Sequence, residues 1–311
     1  MIKKYIGYNV PIILYDGKTK LSQNITKSDI LMGINSEKVK INNIQYIENN
    51  MFKIIPRFGK SFILGMDHRL VSEDETNIYL FNVLDYYIFK SSKYYLIKSN
   101  TDFVYQSIKI DPYFLGIWLG SKNKENIKFE ISKSNSCIID YINSMINKLN
   151  LSVEILEETE EKIIIDINDT LLNEYFMINN LFETRHIPDK FKYNKSVYRL
   201  RLLAGILDSN SRYHTRRSYY EIIDEKELIH DINYVAQSLG FQTNLFLREM
   251  NTWSVEIYGD NLGDIPMMTI NNIIFFQSVC CDFKIAQLFD KRCVEIEIEN
   301  QNILTEDFIL I

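Results

Sequence analysis

The sequence predicts an α+β fold, and three observations carry that prediction. Residues 1 to about 110 show almost no helical period but many short strand-like runs closed by turn signals. The middle of the chain follows the same order of elements twice, with corresponding features about 90 residues apart, which reads as an internal duplication. At 311 residues with 46% hydrophobic and 13% aromatic content, the chain has ample material for two cores without disulfide or metal staples.

The elements follow in order. Val10–Gly17 reads as a strand ended by an Asp-Gly turn, and Ser28–Gly33 as a strand stopped by glycine. Met51–His68 reads as a hairpin turning at Phe58, Gly59 and Lys60. In the duplicated region, Cys137–Leu149 and Leu228–Leu239 carry apolar residues at spacings of three and four, the mark of a helix with one buried face. Each is followed by a pair of alternating, β-branched strands: Val153–Leu156 with Ile163–Ile167, then Thr243–Leu247 with Trp253–Tyr258.

Two stretches at equivalent places of the duplication, Phe114–Lys122 and Leu203–Ser211, are apolar and rich in small residues, with Gly116 answering to Gly205. Alone, Gly116 with Gly120, or Ala204 with Gly205, mark an ordinary close helix contact. In this setting they resemble the paired motif of LAGLIDADG homing endonucleases. That resemblance implies two helices packed through their small residues, each placing an acid beside the scissile phosphates, in two αββαββ-like repeats whose strands form a DNA-reading saddle. Ser121 and Asn210 stand at the two acid positions. A two-metal phosphodiesterase needs anionic oxygens to hold Mg²⁺, and serine and asparagine supply only neutral ones. Asp208 is the motif's other acid, which in the family serves helix packing and capping more than metal binding. No metal or other cofactor is therefore expected, with Mg²⁺ required only if nuclease activity persists.

The flanking regions resemble the Hint fold of inteins. The likeness is carried by the Pro-Ile-Ile-Leu strand, the spacing to His68, the Asp111-Pro-Tyr-Phe passage into the next domain, and the run Gly259–Pro266. It is extended by Asp282–Ile285, Cys293–Ile298 and Ile303–Ile311, which match the closing strands in order. The resemblance implies an all-β horseshoe built from residues 1–110 and 284–311, with the endonuclease-like domain inserted at 111–283 as repeats of about 111–185 and 186–283. Splicing needs a Cys, Ser or Thr nucleophile at the junction, a Thr-x-x-His that polarises the scissile amide, and a terminal His-Asn. Residues 1–9 hold none of those nucleophiles, Gly65 stands at the threonine position, and Ile311 ends the chain without His or Asn. His68 remains, either as that polarising histidine or as a buried structural one. A start at Met1 without host segments points to an independently expressed gene.

After the second motif, Arg212, His214 and Arg216 fall on one side of an expected extended segment, with Tyr213, Thr215 and Arg217 on the other. With Lys190, Lys192, Lys195, Arg199 and Arg201 they form the one concentrated basic region, which either meets phosphates and guanine edges or is a solvated face. The formal net charge of −6 speaks against general nucleic-acid binding, and Glu157–Glu161 would repel a phosphate backbone on the matching hairpin. The four cysteines lack C-x-x-C spacing, and Cys280 and Cys281 are adjacent, so no zinc site or secreted disulfide framework is indicated. No run of about 18 apolar residues and no leader is present, so the expectation is a soluble intracellular protein of cytoplasm, nucleus or virus particle, without a membrane partner. Three functions follow. The first is a catalytically inactive protein with a structural or protein-interaction role in a larger assembly. The second is a double-stranded DNA binder that does not cleave. The third is a residual Mg²⁺-dependent endonuclease using Asp208.

Overall fold

The computed structural model describes residues 1–73, 78–89, 94–121, 126–249, 251–269, 281–299 and 302–311. Lys122, residues 123–125 and Cys280, which the sequence reading invokes, lie outside them. The chain divides into two compact units: Met1–Val104 with Gln237–Gln242 and Ser278–Ile311, and Tyr105–Ala236 with Thr243–Gln277. No described helix is long and apolar enough to cross a membrane.

In chain order the elements begin with β1 (Ile2–Gly7), β2 (Pro11–Ile13), β3 (Thr19–Leu21), β4 (Ile30–Met32), β5 (Lys38–Glu48), β6 (Met51–Pro56) and β7 (Phe62–Gly65). They continue with β8 (Arg69–Glu73), β9 (Ile78–Asn82), α1 (Val83–Phe89), β10 (Tyr95–Leu96), α2 (Pro112–Gly120), β11 (Ile127–Ser132) and α3 (Ser136–Leu149). Next come β12 (Val153–Glu158), β13 (Lys162–Ile167), α4 (Thr170–Ile178), α5 (Asp189–Lys192), α6 (Ser196–Asn210), β14 (Arg212–His214) and β15 (Tyr219–Glu225). The chain closes with α7 (Lys226–Ser238), β16 (Gln242–Leu247), β17 (Thr252–Tyr258), β18 (Phe283–Gln287) and β19 (Arg292–Ile298).

The first unit is organised by an antiparallel sheet ordered β18-β6-β7-β1-β19-β5-β4. The two ends of the chain pair directly, from Ile2 opposite Ile298 to Gly7 opposite Cys293. Gly59 adopts a φ of +90° in the turn between β6 and β7, a conformation costly to any residue with a Cβ. Ile6, Ile12, Leu31, Ile54, Leu64, Val294 and Ile296 are fully buried, and each such side chain contributes about 1.5–3 kcal/mol of hydrophobic stabilisation. The helix α1 departs from the all-strand reading of residues 1–110. Its seven residues, rich in aromatic and β-branched side chains, are too few to display a helical period.

The second unit holds the two stretches that the sequence reads as a duplication. Its first sheet is ordered β11-β13-β12 and its second β14-β15-β17-β16. Helix α2 starts at Asp111, whose carboxylate accepts the Tyr113 amide, with Pro112 at the first helical position, and all nine helical residues are buried. In α3, Ile138, Ile142 and Met145 form the buried stripe, and Asn150 in the left-handed region ends the helix. The Asp169 side chain caps α4 by accepting the Leu172 amide.

Candidate functional site

The seam of the second unit is the contact between α2 and α6. A Cβ on Gly116 would strike the Leu202 carbonyl and lie 3.0 Å from the Gly205 Cα, and one on Gly205 would strike the Tyr113 carbonyl. Only glycine permits two backbones this close. The motif therefore brings Ser121 and Asn210 to the ends of two tightly packed helices.

Among the described residues, neither Ser121 nor Asn210 supplies an anionic oxygen for a metal. The Ser121 hydroxyl donates to the Trp118 carbonyl at 2.7 Å and lies 3.3 Å from that of Lys128, so it is spent on closing the last turn of α2. The Asn210 amide donates to Asp224 Oδ2 at 3.0 Å. That carboxylate belongs to a buried ion pair with Arg185, which also donates to the Leu119 carbonyl at 2.9 Å. One guanidinium thus ties the end of α2 to β15, and Asn210 completes the set. A buried carboxylate already matched by a guanidinium does not need a cation, and a divalent ion beside Arg185 would meet like charge. The described donor set, neutral apart from a carboxylate already paired with Arg185, does not fit Mg²⁺, which is commonly held by one or two carboxylates, and among the described residues no three of His, Cys, Asp and Glu come together.

Asp208 has another task. Its carboxylate accepts the Tyr113 hydroxyl and the Met268 amide, both at 2.7 Å, and the Thr269 amide at 3.1 Å, and it also bonds the Thr269 hydroxyl. Burial, with the Asp208 carboxylate adding to it, pushes the Tyr113 phenol well above its usual range. Asp208 pins the 268–269 segment to the helix pair.

The basic candidates separate sharply. Arg199 is fully buried, its Nε donating to the Asn194 carbonyl, and so presents nothing to a phosphate. Arg201 is held by both oxygens of Asp111 at 3.0 Å, and Lys192 by Asp231 at 2.7 Å. Lys195 is half-buried at the start of α6. His214 lies 3.0 Å from Glu221 and stacks on Tyr219. The expected two-sided extended segment stops at His214, because residues 215–218 form a turn with Ser218 in the left-handed region at φ 51°. Arg216 and Arg217 are therefore exposed in the hairpin turn, with exposed Arg212 on the strand below.

In the first unit His68 is fully buried, with Nδ1 3.1 Å from both the amide nitrogen and the carbonyl oxygen of Tyr5. Burial, aided by the nearby Lys4 charge, holds its pKa well below the usual value, so the ring is neutral. Lys4 is buried too, its ammonium donating to Asn302 at 2.7 Å, and desolvation pushes its pKa down to about 7. The histidine does sit on a backbone amide, that of the Lys4–Tyr5 bond, but Tyr5 carries its hydroxyl across an aromatic ring, out of reach of the Lys4 carbonyl. A Cβ on Gly65 would lie 2.7 Å from the Tyr5 Cβ. The absence of a side chain at 65 thus fits the close approach of the two strands, and any residue with a Cβ at position 5 would ask for the same.

Sequence reasoning missed Arg185, Asp224 and Tyr5. Asp224 had a signal, since in β15 it shares the parity of buried Tyr220 and Ile222. Arg185 and Tyr5 had none, their partners lying far along the chain.

Neither a protein-family model nor a curated protein matches the sequence. Among solved structures, similar chains include the homing endonuclease I-DmoI in complex with DNA and Ca, at 14% identity and TM-score 0.38, covering 49% of this chain and 83% of that one. The N-terminal LAGLIDADG domain of DUF199/WhiA is 15% identical at TM-score 0.37, with coverages of 54% and 88%. The gp41-1 intein is 16% identical at TM-score 0.25, with coverages of 32% and 70%. These likenesses are distant.

Proposed function

We propose that this chain is a scaffold derived from an intein with a LAGLIDADG endonuclease, that it neither cuts DNA nor splices, and that it acts by binding another protein. The observation that carries the reading is the state of the two acid positions. Ser121 is turned to its own helix, and Asn210 is bonded to a carboxylate neutralised by Arg185. The reading is further supported by the internal use of Arg199, Arg201 and Lys192. Incubating the purified full chain with long double-stranded DNA and Mg²⁺ or Mn²⁺ should leave the DNA intact. A metal-dependent double-strand break would reject the reading.

A second reading, non-cleaving association with double-stranded DNA, is favoured by the exposure of Arg212, Arg216 and Arg217 on one hairpin. It requires binding that weakens steeply with salt, because phosphate contacts release counterions. Salt-insensitive or absent binding removes it.

A further inference from the structure

The strand β12 lies at the edge of its sheet and pairs, among the described residues, with β13 alone. All six of its residues are exposed, and three of them are apolar: Val153 at 43%, Ile155 at 56% and Leu156 at 45%. The register assigns these side chains to faces. Val153 stands opposite Ile167 and Ile155 opposite Ile165, and both partners are buried, so Val153 and Ile155 continue the core-side face past the end of the sheet. Leu149, at the end of the helix leading into the strand, is 48% exposed.

The opposite face is acidic. Glu154 stands opposite Asp166 and, beyond an irregularity at Leu156, Glu157 stands opposite Ile164. The following turn adds exposed Glu160 and Glu161. Lys162 reaches Glu130 and Glu157, and Lys133 reaches Glu158, while Glu154, Glu160 and Glu161 have no ion-pair partner among the described residues. Charges along an edge strand serve to block pairing between copies, and two β12 strands would set carboxylate against carboxylate. That explains the acids but not the uncovered branched residues on the core-side face. The counterpart edge strand β16 differs in part, with Gln242 and Thr243 buried and its exposed apolar residues, Phe246 and Leu247, confined to its far end.

We infer that β12 is the docking edge for an extended segment of a partner protein in which apolar and basic residues alternate. Its apolar side chains extend the row of Val153 and Ile155, its lysines or arginines lie beside Glu154 and Glu157, and its main chain bonds the open edge. This inference rests on the proposed role in protein binding.

The test uses the full chain and a capped peptide of alternating lysine and valine, about six residues long to match one strand. A control of the same sequence carries N-methyl groups on alternate amides, which blocks edge pairing but preserves charge. The peptide should slow hydrogen exchange at Val153–Glu158 and the control should not. The double variant Glu154→Lys with Glu157→Lys, on an exposed face, should weaken binding about tenfold by converting attraction to repulsion. Equal binding of the control, protection elsewhere, no protection, or protection of β12 by self-association would each overturn the inference. Those results would leave the DNA-cleavage test of the proposed function untouched, so the two can fail separately.

Discussion

The two candidate centres are filled by different physics. In the first unit the constraint is steric, with the Cβ of residue 5 occupying space that any side chain at Gly65 would need, near a neutral, buried His68. In the second it is electrostatic, with Asn210 joined to the buried Arg185–Asp224 pair at the ends of helices whose glycine seam is intact. The difference shows that a position is filled by whatever satisfies its local requirement. At a crowded backbone position that requirement is volume, and at a buried polar position it is charge balance.

The electrostatic side should break hardest. Asp224→Leu leaves Arg185 buried without its counter-charge and should cost about 3–5 kcal/mol, whereas combining it with Arg185→Met should restore much of the loss. Denaturant titration of the four members of that cycle measures the coupling. Near-additive effects would mean that the pair is not the closure described.

The steric side should give a smaller coupling of opposite origin. Gly65→Thr should destabilise the first unit by about 2–3 kcal/mol through overpacking against the Tyr5 Cβ, and of the replacements at position 5 only Tyr5→Gly, which removes that atom, should relieve part of it. Thermal melts of the single and double variants check this. Equal destabilisation with and without Tyr5 would remove the steric account.

A third expectation uses Lys4. Its folded pKa of about 7 lies below the ordinary 10.5, so between these values the unfolded chain binds more protons and stability must rise with pH. Moving from pH 7 to 8 should stabilise the first unit by about 1 kcal/mol, and Lys4→Met should flatten that response. The smallest effect concerns the hairpin turn. If DNA association exists, Arg216→Ala with Arg217→Ala should lower the salt slope by about one to two and leave melting temperature unchanged.

Periodicity made much of the skeleton legible. The stripes of α3 and α7, the strand pairs that follow them, and the hairpin with its Gly59 turn lie where the sequence places them, within three residues. Helix α4 gave no single stripe, because Leu172 and Phe176 are buried while Leu171 and Ile178 are exposed on the same short helix. Residues 212–217 look extended by alternation, yet the chain must turn at 215–218 for β14 to pair with β15. At the sites, Ser121 and Asn210 were visible because the motif spacing is local. The Arg185–Asp224 pair spans 39 residues, and the Tyr5–Gly65 contact spans two strands, so no local pattern could announce either.

The central claim is that no divalent cation is held between the ends of α2 and α6. Anomalous diffraction from crystals of the full chain grown with Mn²⁺ tests it directly. The account predicts no Mn²⁺ peak within coordination distance of Ser121, Asn210 or Asp224, whereas an ordered ion there, with the Arg185–Asp224 pair opened to ligate it, would contradict it.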